Sequence, residues 1–268
     1  MIKDITIGQF FPGNSVIHRL DPRFKLILTI LLASTLFVVD NFAGFGLIAL
    51  VVVYITAVSR IKPSVLFKSI KPLMFVIVFT AVFNIFYGDG PAVFPSVSWL
   101  SWLKWGGLEN AAFMAIRIIL LITVTSFLTY TTSPVMLTDA IERLLSPLKK
   151  LKVPVHEFAM MMTIALRFIP TLVDETEKII NAQKARGADF ETGNIVRRAK
   201  ALVPIMIPLI VSAFRRAEEL ADAMECRCYH GGDGRTRYKQ YSPALRDFIA
   251  SAVSLMILAA VILLNILL

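Results

Sequence analysis

Long apolar runs separated by short polar punctuation dominate the chain. LDPRFKLILTILLASTLFVV opens with Asp21, which can cap a helix, and Pro22, which suits the first helical position, so a helix is predicted from there to Asp40. FAGFGLIALVVVYITAVS, Phe42 to Ser59, follows almost at once and predicts a tight hairpin of two helices. A basic stretch with Arg60, Lys62, Lys68 and Lys71 leads to a third run, LMFVIVFTAVFNIFY, just after Pro72. A fourth run extends from about Gly107 to Thr131 with Arg117 well inside it, and a fifth, Phe248 to the C-terminus, carries no charge. A bilayer core needs ~20 apolar residues per helix, so the shorter runs bring flanking residues to membrane depth. Trp99, Trp102 and Trp105, spaced by three in a Gly/Pro-rich loop, have the character of an interfacial aromatic anchor.

The stretch between the fourth and fifth runs has a different pattern. SPVMLTDAIERLLSPLKKLKVP predicts a capped amphipathic helix with Leu137, Ile141, Leu144, Leu145 and Leu148 on its apolar face. Two long segments follow, VHEFAMMMTIALRFIPTLVDETEKIINAQKARG and IVRRAKALVPIMIPLIVSAFRRAEELADAMECRCYHGG, each apolar in its first half and charged in its second. The apolar part of the second, Ala201 to Phe214, is short and contains two prolines, which suits an interfacial or partly embedded helix better than a span. Met160, Met161 and Met162 in the first read as adaptable packing.

Composition agrees with a multi-spanning membrane protein: 56% of the 268 residues are hydrophobic and 18% charged, against about 45–50% and ~25% in soluble domains. The net charge of +9 raises the question of nucleic acid, and its distribution answers it. If neither long segment crosses the bilayer, there are five spans, with the N-terminus inside and the C-terminus outside. The external loops then hold Lys104 alone among the basic residues, Arg117 lies within the membrane, and the remainder are cytoplasmic. Crossing by both segments would instead export Lys178, Lys184, Arg186, Arg197, Arg198 and Lys200. The positive charge is therefore a topology signal, and no nucleic-acid partner is needed. The N-terminal stretch has no apolar core of signal-peptide length and reads as a cytoplasmic lead-in.

Catalytic signatures are missing. No G-x-x-x-x-G-K-[ST], nucleophile elbow, zincin helix or intramembrane carboxylate cluster occurs, and the three histidines all lie near soluble segments, so an intramembrane hydrolase or metal enzyme has little to work with. Cys226, Cys228 and His230 could suggest a metal site, but residues two apart at a helix end point away from each other and no second ligand pair exists. Two cysteines also make no disulfide framework.

One feature repeats. AQKARGADF and AMECRCYHG place Arg186 and Arg227 near the ends of the two long segments, each with a glycine soon after, Gly187 and Gly231. Glu177 and Asn181 precede Arg186 at the same offsets as Glu218 and Asp222 precede Arg227. A cation at a helix C-terminus offsets the helix dipole by ~0.3–1 kcal/mol, which accounts for one such arginine. It does not account for the matched neighbours. A duplicated tip suggests two similar pockets on partner subunits, and arginine binds carboxylates there through its planar fork. From the residues alone, both the docking role and the dipole role stay open.

The tips, ARG at Ala185 to Gly187 and CRC at Cys226 to Cys228, resemble the paired x-R-x signatures of the T component of energy-coupling factor (ECF) transporters, importers of the ABC class. PGNSVIHRLDPRFKL near the N-terminus, AIRIILL around Arg117, TTSP before the amphipathic helix and LRFIP around Arg167 and Pro170 resemble the same family in the same order. Cysteines flank Arg227 where Ala, Ser or Gly are common in the family; cysteine is also small, so the docking mode is expected to survive. The longer N-terminal lead most resembles T components shared among several vitamin-type substrate-binding subunits.

The resemblance implies an all-α membrane protein in three parts: membrane helices over 1–132, cytoplasmic coupling helices over 133–241 and a last transmembrane helix over 242–268. It implies a bacterial or archaeal cell-membrane location. It implies a non-catalytic scaffold with no cofactor of its own, ATP and magnesium being held by two homologous or identical partner ATPases. Arg186 and Arg227, with Ala185, Gly187, Cys226 and Cys228 around them, would dock on those ATPases, and the same helices would carry a substrate-binding S component, several of which are exchanged. Arg117 and Arg167, at membrane depth, read as structural pairings within the scaffold, with a part in moving the S component as the lesser reading. Asp21 is explained as a helix start, and any interface role for Arg19 and the rest of HRLDPR comes from the resemblance alone. A conventional ABC permease would need a glycine after an E-A-A pattern, which AEELADAM lacks, and a membrane enzyme or scaffold for acidic proteins would need intramembrane carboxylates or histidines.

Overall fold

The computed structural model describes residues 10–87, 104–188, 190, 194–232 and 241–267, and the described residues are helical with no strand. The helices are α1 (Pro22–Val38), α2 (Phe42–Ser59), α3 (Pro63–Ile70), α4 (Met74–Tyr87), α5 (Trp105–Thr131), α6 (Pro134–Leu145), α7 (Val155–Ala185), α8 (Ile195–Glu225) and α9 (Leu245–Leu267). Short 3₁₀ turns at Lys71–Leu73 and Ser146–Leu151 continue α3 and α6. The chain divides into two compact units, one comprising Gly8–Ala140 with Tyr241–Leu268 and the other including Ile141–Gln240. Trp99 and Trp102 lie outside the described residues; Trp105, at the start of α5, is exposed.

Four described stretches are long and apolar enough to cross a membrane: Phe42–Ser59, Pro63–Phe86, Trp105–Thr131 and Leu245–Leu267. The third apolar run of the sequence begins earlier than Pro72, because α3, a 3₁₀ turn and α4 join into one stretch from Pro63. Of the five expected spans, α1 falls short of this length, with 17 residues. Neither α7 nor α8 qualifies despite 31 residues each, since each confines its apolar residues to one half.

In the first unit, α5 is the organising helix. Leu120, Val124, Phe127 and Tyr130 on α5 meet Leu32, Leu36 and Val39 from α1, Phe45, Ile48 and Val52 from α2, and Val261 from α9 in one buried cluster. The expected α1–α2 hairpin is corrected here. The two helices do not pack along one another; each packs against α5 and α9 instead. The physical reason lies at the connection, where an Arg117 Nη of α5 donates a 2.8 Å hydrogen bond to the Val39 carbonyl and the guanidinium sits 5.6 Å over the Phe45 ring. That cation satisfies an orphan carbonyl at the end of α1 and brings α5 to the junction of the two helices. Gly44 lets α2 start against the same residue, since a Cβ there would stand 2.8 Å from Val39 Cγ1. Phe75, Phe79 and Phe83 form an exposed ladder along α4, the kind of surface a bilayer covers.

Candidate functional site

The ends of α7 and α8 carry the repeated arginines, and their backbones close in the same way. At the end of α7, the Gly187 N–H donates to the Lys184 carbonyl at 3.0 Å and the Ala188 N–H to the Gln183 carbonyl at 3.0 Å. At the end of α8, the Cys228 N–H donates to the Glu225 carbonyl at 2.8 Å and the Tyr229 N–H to the Met224 carbonyl at 3.1 Å. Both are Schellman closures, in which one residue turns left-handed and the last carbonyls find donors. The left-handed residue is Gly187 in the first tip, with φ +86°, and Cys228 in the second, with φ +55°. The expected partner of Gly187 is thus corrected: Gly231 also has a positive φ, but it lies beyond the closure, and Cys228 takes the capping position.

Each arginine consequently occupies the residue just before the left-handed turn. Ala185, Arg186, Gly187, Cys226, Arg227 and Cys228 are all exposed, and both thiols are free. Among the described residues neither Arg186 nor Arg227 has a hydrogen-bond or ion-pair partner for its guanidinium. Two unpartnered cationic forks, presented by matching backbone closures, can receive carboxylates or carbonyls of another molecule.

Further back, α7 and α8 touch through polar groups that sequence reasoning missed. An Arg216 Nη donates to Glu175 Oε2 at 2.8 Å, and the buried Ser212 hydroxyl donates to Glu175 Oε1. The Ser212 hydrogen bond, then the Arg216 charge, hold the Glu175 carboxyl below the usual carboxylate range. A signal for this contact was present: Glu175 and Arg216 are 41 residues apart, the same separation as the two tip arginines. Beside it, Ile164, Phe168 and Leu172 of α7 and Ala213, Ala217 and Leu220 of α8 line a cavity of about 250 Å³.

The other singled-out residues do not join the tips. Arg167 and Pro170 are exposed on α7, with Pro170 inside the helix, where it removes one backbone donor. Arg117 caps α1 as described, and Arg19 is exposed. Asp21 caps α1 by accepting the Arg23 N–H at 2.9 Å, and it belongs to a buried polar junction. Its own N–H donates to Asp247 Oδ1 at 2.9 Å, and Asp247 Oδ2 accepts the Ala244 N–H at 2.7 Å, capping α9. Buried Lys25 donates to the carbonyls of His18 and Thr131 at 3.1 and 2.9 Å, within the field of both aspartates. Lys25 and Asp247 were not foreseen. Lys25 follows Asp21 by one helical turn, and Asp247 sits in the first turn of α9, so each looked like an ordinary flanking charge. Among the described residues no group of histidine, cysteine and carboxylate side chains could hold a metal ion.

Taken together, the helices of membrane-crossing length and the two long half-polar helices define a multi-pass, all-α membrane protein. Residues 13–238 match the family described as CbiQ, cobalt transport protein. The energy-coupling factor transporter transmembrane protein EcfT of Ruminiclostridium cellulolyticum is 51% identical over 265 residues, spanning 99% of this chain and 98% of that one. The protein of the same name from Clostridium kluyveri is 53% identical over 264 residues, covering 98% and 97% of the two chains. Its Bacillus subtilis counterpart is 45% identical over 263 residues, covering 98% of each. The chain therefore belongs to the family of transmembrane T components of ECF transporters, the family that the tips and HRLDPR resemble.

Proposed function

We propose that this transmembrane component is the energy-transducing scaffold of an ECF-type ABC importer. Arg186 and Arg227 dock on two ATPase subunits on the cytoplasmic side, which hold ATP and magnesium. α7 and α8 pass the resulting motion to a separate substrate-binding S component, one of several that share this scaffold for vitamin or other micronutrient uptake. The observation that carries the reading is the doubled helix end: the same hydrogen-bonded closure, 41 residues apart, presenting an exposed arginine without a partner among the described residues. One arginine at a helix end would be explained by the dipole. Two with the same closure call for two similar receptors.

The reading is tested by Arg186→Glu and Arg227→Glu in the full chain, expressed with its ATPases and an S component. Each variant is expected to insert into the membrane normally while losing ATPase co-purification or ATP-driven vitamin uptake. A double variant that retains both in full overturns the docking role.

A further inference from the structure

Equivalent positions of the two tips and of the inter-helix contact share one offset. Glu175 and Arg216 are 41 residues apart and bonded at 2.8 Å; Arg186 and Arg227 are also 41 apart. Each tip arginine therefore stands eleven residues beyond the contact on its own helix, about 16 Å at 1.5 Å per residue. Two helices that meet at matching positions and extend arms of equal length from there form a balanced lever. A change in the angle between the two helices about the contact therefore acts on two arms of the same length.

The local chemistry suits a pivot. Glu175 is held by two donors from α8, Ser212 and Arg216, so the contact is directional on both carboxylate oxygens. Next to it α8 presents Ala213, Ala217 and Ala221 toward the cavity it shares with α7, small side chains that leave room for the helices to tilt. A contact fastened at one polar point and loosely filled beside it resists sliding more than it resists rotation. An apolar zipper along the whole length would resist both.

We propose that the Glu175–Ser212–Arg216 contact is the pivot of the coupling helices, and that Glu175 and Arg216 are positioning residues which keep the two arms equal. The proposal rests on the docking reading of Arg186 and Arg227. Removing one partner lets the helices slip, so the tips lose their fixed separation while each remains a normal helix end.

The test uses the full chain in nanodiscs, with Cys226 and Cys228 replaced by serine and spin labels attached at Ala185→Cys and Glu225→Cys. The distance between the labels is read by double electron–electron resonance. A single narrow distribution is expected for the parent, a widened one for Glu175→Gln and for Arg216→Met, and a narrow one again for the exchange Glu175→Arg with Arg216→Glu. In unlabelled complexes, the two single variants are expected to keep their ATPases yet lose uptake per ATP hydrolysed, and the exchange to recover it. A merely stabilising ion pair would lower the unfolding temperature and leave the distance width and the coupling ratio unchanged, which overturns the proposal. Failure of the docking reading shows separately, as tip variants that keep their ATPases and their transport.

Discussion

Replacing Asp247 with alanine should loosen the junction between the start of α1 and the start of α9 more than any other single change at these helix ends. Asp247 is 1% exposed, and its two oxygens accept the N–H groups of Asp21 at 2.9 Å and Ala244 at 2.7 Å. Truncation leaves both donors buried without acceptors, at about 1–3 kcal/mol each. It also removes one of the two carboxylates whose field reaches buried Lys25, and stripping a partner from a buried charge costs about 3–5 kcal/mol by itself. These contributions overlap, so the expected loss is about 4 kcal/mol, or roughly 10 °C in unfolding temperature for a unit of this size. Asp247→Asn keeps one acceptor and should fall between the parent and alanine. The assay is thermal unfolding of the detergent-solubilised full chain, followed by fluorescence-detected size exclusion. A double variant, Asp247→Ala with Lys25→Met, should lose less than the sum of the single losses, because the methionine removes the charge that alanine had stranded. A loss below about 1 kcal/mol for Asp247→Ala, a few degrees at most, or simple additivity in the double variant, would refute this account of the junction.

The two tip closures differ in their left-handed residue, so the same pair of substitutions should act with opposite signs. Cys228→Gly relieves a side chain at φ +55° and should stabilise that helix end by about 1 kcal/mol, whereas Gly187→Ala imposes one at φ +86° and should cost a similar amount; amide hydrogen exchange at Tyr229 and Ala188 reads both. Burial pushes the His18 imidazole below its usual value of 6.5, and the Lys25 charge adds to this against the pull of the Phe11 carbonyl. A depressed value means that the folded state favours neutral His18, so its stabilisation is complete above pH 6.5 and is lost as the pH falls through the lowered value. The parent should lose more unfolding temperature than His18→Gln between neutral pH and that window, and parallel curves would remove His18 from the explanation. In a background with Cys226 and Cys228 replaced by serine, a cysteine at Ser98 should react with an impermeant maleimide in intact cells and one at Ala188 should not; the reverse pattern inverts the proposed orientation.

Much of this protein was legible along the chain because its strongest signals are local. An apolar run of membrane length reports a helix through composition alone, and Asp21–Pro22 marks a start through the chemistry of neighbouring residues. The doubled tip was equally visible, since matched residues at a fixed offset need no fold to be seen. What the chain could not disclose depends on which distant groups meet. Nothing between Val39 and Phe42 says that the two helices it joins will pack on α5 and α9; at the junction itself, Arg117 of α5 donates to the Val39 carbonyl, 78 residues away, and Asn265 of α9 to the Val38 carbonyl, 227 away. Lys25 and Asp247 read as flanking charges until folding buries them together across the ends of α1, α5 and α9. Gly231 is the glycine that follows Arg227 in the sequence, yet the backbone closes three residues earlier and puts Cys228 in the left-handed position. Composition and local pattern determined the helices and the repeated arginines. Tertiary structure decided their partners, because hydrogen bonds between groups tens to hundreds of residues apart exist only once the chain has brought them within 3 Å of one another.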